Sequence, residues 1–355
     1  MKVLITGGSG FIGSALIRQL IAKTDWSVVN VDKLTYAAVP SSLPAEIETS
    51  GRYRFARLDI ADGRAMQALL RETRPDAIMH LAAESHVDRS IDGAAPFIDT
   101  NVVGTSHLLD AALGYWRDLS DDRRDTFRFV HVSTDEVFGS LGLVGRFRET
   151  TAYAPRSPYA ASKAASDHLA RAWGHTFGLP VIVTNCTNNY GPCQHPEKLI
   201  PLMIIRGLMG RELPVYGSGA NVRDWLHVDD HVAGLLVALE RGAAGSTYCF
   251  GGNMEHANLA VVEAICDRLD ERAPPLAGID TRRSLIAFKT DRPGHDQRYA
   301  MDTRHSQRAL GWAPARGFDA GLTETVDWYL ANEAWWRPVL ADGATERRGL
   351  RQDGA

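Results

Sequence analysis

The stretch Lys2-Val3-Leu4-Ile5-Thr6-Gly7-Gly8-Ser9-Gly10-Phe11-Ile12-Gly13 decides how this chain is read. After Lys2 the residues are apolar or β-branched without a break, the pattern of a strand covered on both faces. From Phe11 onward apolar residues recur at helical spacing, which predicts a helix over 11–22. Between the two lie Gly7, Gly10 and Gly13, spaced G-x-x-G-x-x-G. This is a variant of the G-x-G-x-x-G turn, in which the backbone bends tightly and approaches a pyrophosphate at the N-terminus of the next helix. A second strand over 27–31 runs into Asp32, nineteen residues after Gly13. A carboxylate there accepts both hydroxyls of an adenosine ribose and repels a 2′-phosphate, which selects NAD over NADP. A glycine-rich turn alone also serves ordinary loops. The strand–turn–helix context and the acid at the second strand end make it a dinucleotide site.

Working outward, further strands are predicted at 54–58, 77–81, 127–133 and 180–184, with helices at 64–72, 101–116 and 157–177. Strand and helix alternating at this tempo predict an α/β fold, a Rossmann-type doubly wound parallel sheet. Ligands of such sheets bind at the C-terminal strand ends. Asp59-Ile60 and Leu81-Ala82-Ala83-Glu84-Ser85, which follow two of the strands, therefore gather near the glycine turn, although each taken alone reads equally well as a plain loop. After about residue 190 the texture changes, with Pro192, Pro196, Pro201, Pro214, Gly210, Gly217 and Gly219 interrupting short elements. The expected organisation is an NAD-binding domain over 1–187, to which later segments near 226–250 return, including a helix over 229–240. A smaller C-terminal α/β substrate lobe occupies mainly 188–340, and 342–355, polar and aperiodic, is expected to be a mobile tail.

Composition fits a soluble globular protein: of 355 residues, 45% are hydrophobic and 23% charged, which excludes general disorder and a fibrous repeat. With 39 basic against 43 acidic residues the net charge is −4, so no basic excess draws the chain to nucleic acid. No apolar run approaches the ~18–20 residues a bilayer requires, so no membrane partner is expected. The apolar N-terminus is broken by Gly7-Gly8-Ser9-Gly10, where a signal peptide needs continuous helix. Cys186, Cys193, Cys249 and Cys266 form no C-x-x-C pair, so neither a metal site nor a redox pair is indicated. Reduced thiols and a cytoplasmic location are expected.

Tyr159-Ala-Ala-Ser-Lys163 puts a phenol and an ammonium at i and i+4 on one helix face. A nearby Lys and a cationic nicotinamide ring lower a phenol's pKa and make it a usable base. Ser133-Thr134 closes a predicted strand. Together with the glycine turn, these residues resemble the extended short-chain dehydrogenase/reductase superfamily, which implies hydride exchange between a substrate carbinol and NAD. Asp135-Glu136 adds two adjacent carboxylates at the same strand end. Elimination of water needs a base to take a proton from carbon and an acid to protonate the departing hydroxyl. Neighbouring carboxyls in a desolvated site hold different protonation states, because the first ionisation opposes the second. A solvated acidic turn is the plain alternative.

Five further runs sharpen the resemblance: His80-Leu-Ala-Ala-Glu-Ser-His-Val-Asp-Arg-Ser-Ile91, His131-Val-Ser-Thr-Asp-Glu-Val-Phe-Gly139, Asn188-Asn-Tyr-Gly-Pro192, Val222-Arg-Asp-Trp225 and Asp291-Arg-Pro-Gly-His295. Together they resemble the dTDP-glucose 4,6-dehydratase family, from residue 2 to about residue 336. The resemblance implies a two-lobed fold, tightly bound NAD and conversion of dTDP-glucose to dTDP-4-keto-6-deoxyglucose. It also implies a homodimer formed through the helices at 101–116 and 157–177.

It assigns Tyr159 as the base at the sugar's 4-hydroxyl and Lys163 as the group that orients the ribose and lowers the phenol. Thr134 hydrogen-bonds the 4-oxygen, Glu136 takes the proton from carbon 5, and Asp135 protonates the departing 6-hydroxyl. Cofactor contacts carried over by motif are Gly7, Gly10, Phe11, Ile12, Gly13, Asp32, Lys33, Leu34, Thr35, Asp59, Ile60, Leu81, Ala82, Ala83, Ser85, Thr100, Tyr159, Lys163 and Asn189. Substrate contacts are Ser85, Thr134, Glu136, Asn188, Lys198, Leu199, Pro214, Tyr216, Arg223, Asn258, Asp291, Arg292 and His295. Arg223 is physically the best of these, since a guanidinium fork suits a pyrophosphate. Its alternative is an ion pair with a neighbour such as Asp224, and Lys198 reads equally as a solvated side chain.

Phe138, Asn185 and Ala38 stand where the family commonly has tyrosine, arginine and glycine. The competing readings are a UDP- or GDP-hexose 4,6-dehydratase, a 4-epimerase and a non-catalytic NAD-binding protein. The Asp135-Glu136 pair argues against an epimerase, and intact Tyr159 and Lys163 argue against a silent fold.

Overall fold

The computed structural model describes residues 1–340; the expected tail over 342–355 lies outside the described residues. In chain order the strands are β1 (Lys2–Thr6), β2 (Ser27–Val31), β3 (Tyr53–Ala56), β4 (Ala77–His80), β5 (Arg128–Thr134), β6 (Val181–Cys186), β7 (Asn188–Tyr190), β8 (Leu213–Tyr216), β9 (Val222–His227), β10 (Thr247–Phe250), β11 (Glu255–Ala257) and β12 (Ile286–Lys289). Along β1 the side chains alternate: Val3 and Ile5 enter one hydrophobic cluster and Leu4 the other, so both faces are covered. The resulting sheet has seven parallel strands in the order β10-β6-β5-β4-β1-β2-β3. Strand order reverses between β1 and β4, and the crevice outside such a reversal is where doubly wound sheets take ligands.

Helix Phe11–Lys23 lies on one face with helix Val228–Arg241, while Gly63–Thr73, Thr105–Arg117 and Pro158–Phe177 cover the other. The chain thus leaves the large sheet after β6 and comes back to it, because Val228–Arg241 packs on Phe11–Lys23 and β10 pairs with β6. The remaining strands form a three-stranded sheet β11-β9-β7 and a two-stranded sheet β12-β8. They share a separate core with helices Leu199–Leu208, Asn258–Arg272 and Phe318–Ala331.

Two expectations shift. The strand expected over 54–58 is Tyr53–Ala56, because its register partner β2 ends opposite Ala56 at Val31. Leu58, Asp59 and Ile60 are thereby released into the crossover loop. The helix expected over 101–116 starts earlier and carries a π-helical segment, Ile98–Gly104, ahead of Thr105–Arg117. Such widened turns concentrate at functional sites. Here Thr100 accepts from Lys33 Nζ at 3.0 Å and Asn101 Oδ1 accepts from the Glu84 amide at 2.9 Å. Among the described residues no helix is long and apolar enough to cross a membrane.

Candidate active site

A cleft of about 300 Å³ opens at the C-terminal ends of the parallel strands. Its floor is the glycine turn. Gly7 has φ +73°, and a Cβ there would lie 2.7 Å from the Ala82 nitrogen. A Cβ on Gly13 would lie 2.2 Å from the Gly7 carbonyl oxygen. Each of these positions excludes any side chain because the chain's own backbone fills the space, so glycine is what lets the turn pack against Leu81–Ala82 and against the helix start. At the end of β2, Asp32 accepts from the Ser9 amide (3.0 Å) and the Leu34 amide (2.8 Å). Burial raises its carboxyl pKa, and those two bonds together with Lys33 oppose the rise. Each oxygen keeps a lone pair for a hydroxyl. Lys33 Nζ lies 3.4 Å from Asp59, which closes the adenosine end of the cleft. A glycine turn that lines the cleft at a helix N-terminus, followed by a fixed acid, fits a dinucleotide with a free 2′-hydroxyl.

Of the cofactor contacts expected from sequence, Gly7, Gly10, Phe11, Ile12, Gly13, Asp32, Lys33, Thr35, Asp59, Ile60, Leu81, Ala82, Ala83, Ser85, Thr100, Tyr159, Lys163 and Asn189 line this cleft. Leu34 does not. Its φ of +59° turns its backbone amide back onto Asp32, so its contribution is to the shape of the loop. Asn189 is held from behind: Nδ2 donates to the Thr187 carbonyl at 2.9 Å, and Oδ1 lies 2.8 Å from His231 Nδ1.

The reactive end is built by β5 and helix Pro158–Phe177. Strand β5 ends at Thr134, whose hydroxyl caps a short 3-10 turn, Asp135–Phe138, by accepting from the Glu136 amide at 3.3 Å. That turn throws Asp135 and Glu136 into the cleft facing Tyr159 and Lys163. Asp135 is 2% exposed, its Oδ1 accepts from the Thr134 hydroxyl at 3.2 Å, and its Oδ2 is buried without a partner. Burial, and then the Glu136 charge, drive its carboxyl well above the usual range. Burial raises Glu136 as well, but Arg292, Arg223 and Lys198 pull it back. Both carboxyls are thus raised by burial, Asp135 the more strongly because the Glu136 charge adds to its burial while cations oppose the rise at Glu136. This excludes the solvated acidic turn.

Tyr159 is 8% exposed, and burial followed by Glu136 and Cys186 holds its phenol well above its ordinary value, with the Thr134 hydroxyl opposing. In the folded chain Lys163 Nζ donates to the Val132 carbonyl at 2.9 Å, and desolvation lowers its own pKa.

Of the expected substrate contacts, Ser85, Thr134, Glu136, Asn188 and Lys198 line the same cleft, and Lys198 Nζ donates to the Ser85 carbonyl at 3.1 Å. Leu199, Pro214, Tyr216, Arg223, Asn258, Asp291, Arg292 and His295 lie outside its lining. Two of these are nonetheless tied to it electrostatically, since Arg223 and Arg292 act on Glu136. Arg223 is 4% exposed, donates to the carbonyls of Val222 (2.8 Å) and Asp296 (3.0 Å), and lies 4.3 Å over the Tyr299 ring. The alternative pairing with Asp224 is not formed; Asp224 accepts from the Met254 amide instead. Arg292 bonds Asp88 at 2.8 Å, Tyr216 donates to the other Asp88 oxygen at 3.1 Å, and His295 Nδ1 lies 2.6 Å from Asp291. Asn258 keeps a buried side-chain oxygen without a partner.

Sequence reasoning missed Cys186 and Thr187 in the cleft lining, although both follow from the strand-end rule once β6 is extended to Cys186. It also missed Glu197. This nearly buried acid lies 3.3 Å from Arg89 and accepts from the Tyr36 hydroxyl at 3.4 Å, joining the loop after β2 to the chain beyond β7. Nothing in its local spacing announces that role.

Comparison with known proteins agrees with this geometry. The GDP-mannose 4,6 dehydratase family description matches residues 4–325. A dTDP-glucose 4,6-dehydratase of Neisseria meningitidis serogroup B is 54% identical over 341 residues, 96% of each chain. One from Escherichia coli is 53% identical over 362 residues, 99% of each. The crystal structure of a dTDP-glucose 4,6-dehydratase from Streptomyces venezuelae, solved with NAD and dTDP bound, superposes with a TM-score of 0.86 at 45% identity, covering 96% of this chain and 100% of that one. A dinucleotide cradle ending at a phenol and two unequal carboxyls, in a chain this similar along its whole described length, belongs to the dTDP-glucose 4,6-dehydratase family.

Proposed function

We propose that the protein converts dTDP-glucose to dTDP-4-keto-6-deoxyglucose with NAD as a resident cofactor. The observation that carries this reading is the placement of two adjacent carboxyls, Asp135 and Glu136, in the cleft with Tyr159, since an oxidation alone has no use for an extra acid and base. Bound NAD supplies the hydride acceptor for carbon 4, the hydride donor for carbon 6 and a positive ring charge beside the phenol. Tyr159 takes the proton of the 4-hydroxyl, and the Thr134 hydroxyl holds the 4-oxygen. Once carbon 4 is a ketone, the proton on carbon 5 is acidic and Glu136, whose charged form three cations favour, removes it. Asp135, whose protonated form burial favours, gives its proton to the 6-hydroxyl, which leaves as water. Once carbon 6 is reduced, Glu136 gives its proton back to carbon 5, and the proton that Tyr159 took from the 4-hydroxyl replaces the one Asp135 gave up, so the sugar loses one water and every group regains its starting state. For the nucleotide, Arg223 is the group suited to a pyrophosphate: it is buried, oriented by two carbonyls and stacked on Tyr299.

Incubation of the purified protein with dTDP-glucose is expected to give a 4-keto sugar with no net gain of reduced nicotinamide; steady accumulation of reduced nicotinamide would leave only a plain dehydrogenase. The same reading makes the protein a cytoplasmic homodimer. Four buried free thiols suit a reducing compartment, and Ile98 (44% exposed) and Val103 (40%) offer apolar surface beside the helices expected to pair. Sedimentation as a monomer at micromolar concentration would refute the dimer.

A further inference from the structure

Helix Pro158–Phe177 carries a third polar residue in line with Tyr159 and Lys163. Asp167 lies one turn beyond the lysine, is 0% exposed and lies outside the lining of the cleft. Its Oδ2 accepts from the Ser133 hydroxyl (2.8 Å), the Tyr153 hydroxyl (2.7 Å) and Asn185 Nδ2 (3.4 Å), and its Oδ1 lies 3.0 Å from His131 Nε2. The same Asn185 amide group donates to the Thr134 carbonyl at 3.0 Å. The carboxylate therefore grips β5 at Ser133 directly and at Thr134 through Asn185, just before the turn that presents Asp135 and Glu136.

The charge on this carboxylate needs explaining. Its donors are hydroxyls, an amide and an imidazole that burial keeps neutral. An ionised carboxylate in such a place is costly unless a cation shares the site. Lys163 precedes it by one helical turn, its ammonium binds the Val132 carbonyl at 2.9 Å, and Asp167 is the first of the charges that oppose its desolvation. The other groups around this ammonium are poor counter-ions. His80 from β4 and His131 from β5 are both pushed toward the neutral form, and Cys186 from β6 is held as a thiol by burial. Tyr159 precedes it on its own helix with a raised pKa, and the π-helical segment offers the neutral Asn101. Arg171, one turn further along, reaches the Tyr153 hydroxyl at 2.7 Å and repels rather than supports a second cation. Asp135 and Glu136 act on Tyr159, and Asp88 is engaged by Arg292.

We propose that Asp167 is a positioning residue for the reaction: it fixes the Ser133–Thr134 strand end, directly and through Asn185, and sets a buried carboxylate one helical turn from Lys163. The proposal rests on the proposed function, in which Tyr159 acts as the base on the helix that also carries Lys163 and Asp167.

Asp167→Asn keeps the shape and removes the charge. The alkaline limb of the pH–rate profile is expected to fall by about one unit, kcat above neutral pH to drop about tenfold, and KM to stay within about twofold. Nitrogen NMR of the Lys163 side chain, which needs no substrate, should show the same downward shift. Tyr153→Phe removes a neutral donor and leaves the carboxylate less satisfied, so both the limb and the Lys163 titration should move up. This variant carries the test if Asp167→Asn does not fold. A lower melting temperature with an unmoved limb and an unmoved Lys163 titration, or a downward shift in Tyr153→Phe, would overturn the proposal. The NMR titration separates its failure from failure of the assigned reaction, which would appear in the unaltered protein as absence of the keto sugar.

Discussion

Tyr159→Phe is expected to reduce turnover of dTDP-glucose by about a thousandfold, the range in which loss of a positioned acid–base group falls. The substitution removes one oxygen and leaves the ring in place. That ring packs edge-on against Phe97 with centroids 6.3 Å apart, so melting temperature and NAD content should hold. The loss should fall on kcat, because the phenol is needed only when the 4-hydroxyl gives up its proton. Thr134 remains as a hydrogen-bond partner of the 4-oxygen but has no means of accepting a proton at neutral pH. Single-turnover kinetics of hydride loss from carbon 4, alongside melting and cofactor content, checks this. Activity within tenfold of the parent would move the base elsewhere.

Glu136→Gln should separate the two halves of the reaction. The first half asks nothing of Glu136 as a base, so oxidation at carbon 4 is expected to proceed and the bound cofactor to stay reduced. Removing the Glu136 charge also removes the second-largest cause raising the Tyr159 phenol, which favours that first step. Proton exchange at carbon 5 should vanish, and overall turnover should fall by about a hundredfold or more. The experiment follows deuterium uptake at carbon 5 together with reduced-nicotinamide absorbance in one preparation. Deuterium incorporated at the normal rate would take Glu136 out of its assigned role. Loss of the absorbance as well would mean that the carboxylate also serves the first step, for instance by organising Arg223 and Arg292.

How much of this was legible in the chain depended on the reach of each interaction. The turn at Gly7, Gly10 and Gly13, the acid at Asp32 and the pair Tyr159 and Lys163 each sit within one strand–helix step, so local spacing carried them. Strand ends were legible because an open parallel sheet delivers its loops to one edge, and Thr134, Asp135 and Glu136 follow from that geometry. What escaped depends on distant partners. His131 and Asp167 are 36 residues apart, and Arg89 and Glu197 are 108 apart, so neither pairing leaves a local trace. The widened turn at Ile98–Gly104 was hidden because its residues fit an ordinary helix, and only the contact of Gly104 with Ile60 explains the small residue there.

The late return of β10 to the large sheet bears on biosynthesis. As the polypeptide emerges from the ribosome, β1 to β6 are available well before Thr247–Phe250. During that interval β6, every residue of which is buried in the finished protein, presents a bare edge, a template for pairing with other chains. The flank of helix Phe11–Lys23 that finally meets Val228–Arg241 is uncovered over the same period. The nascent protein is thus most vulnerable to aggregation after the first half of the sequence has been translated, and truncation anywhere before residue 250 leaves that vulnerability permanent.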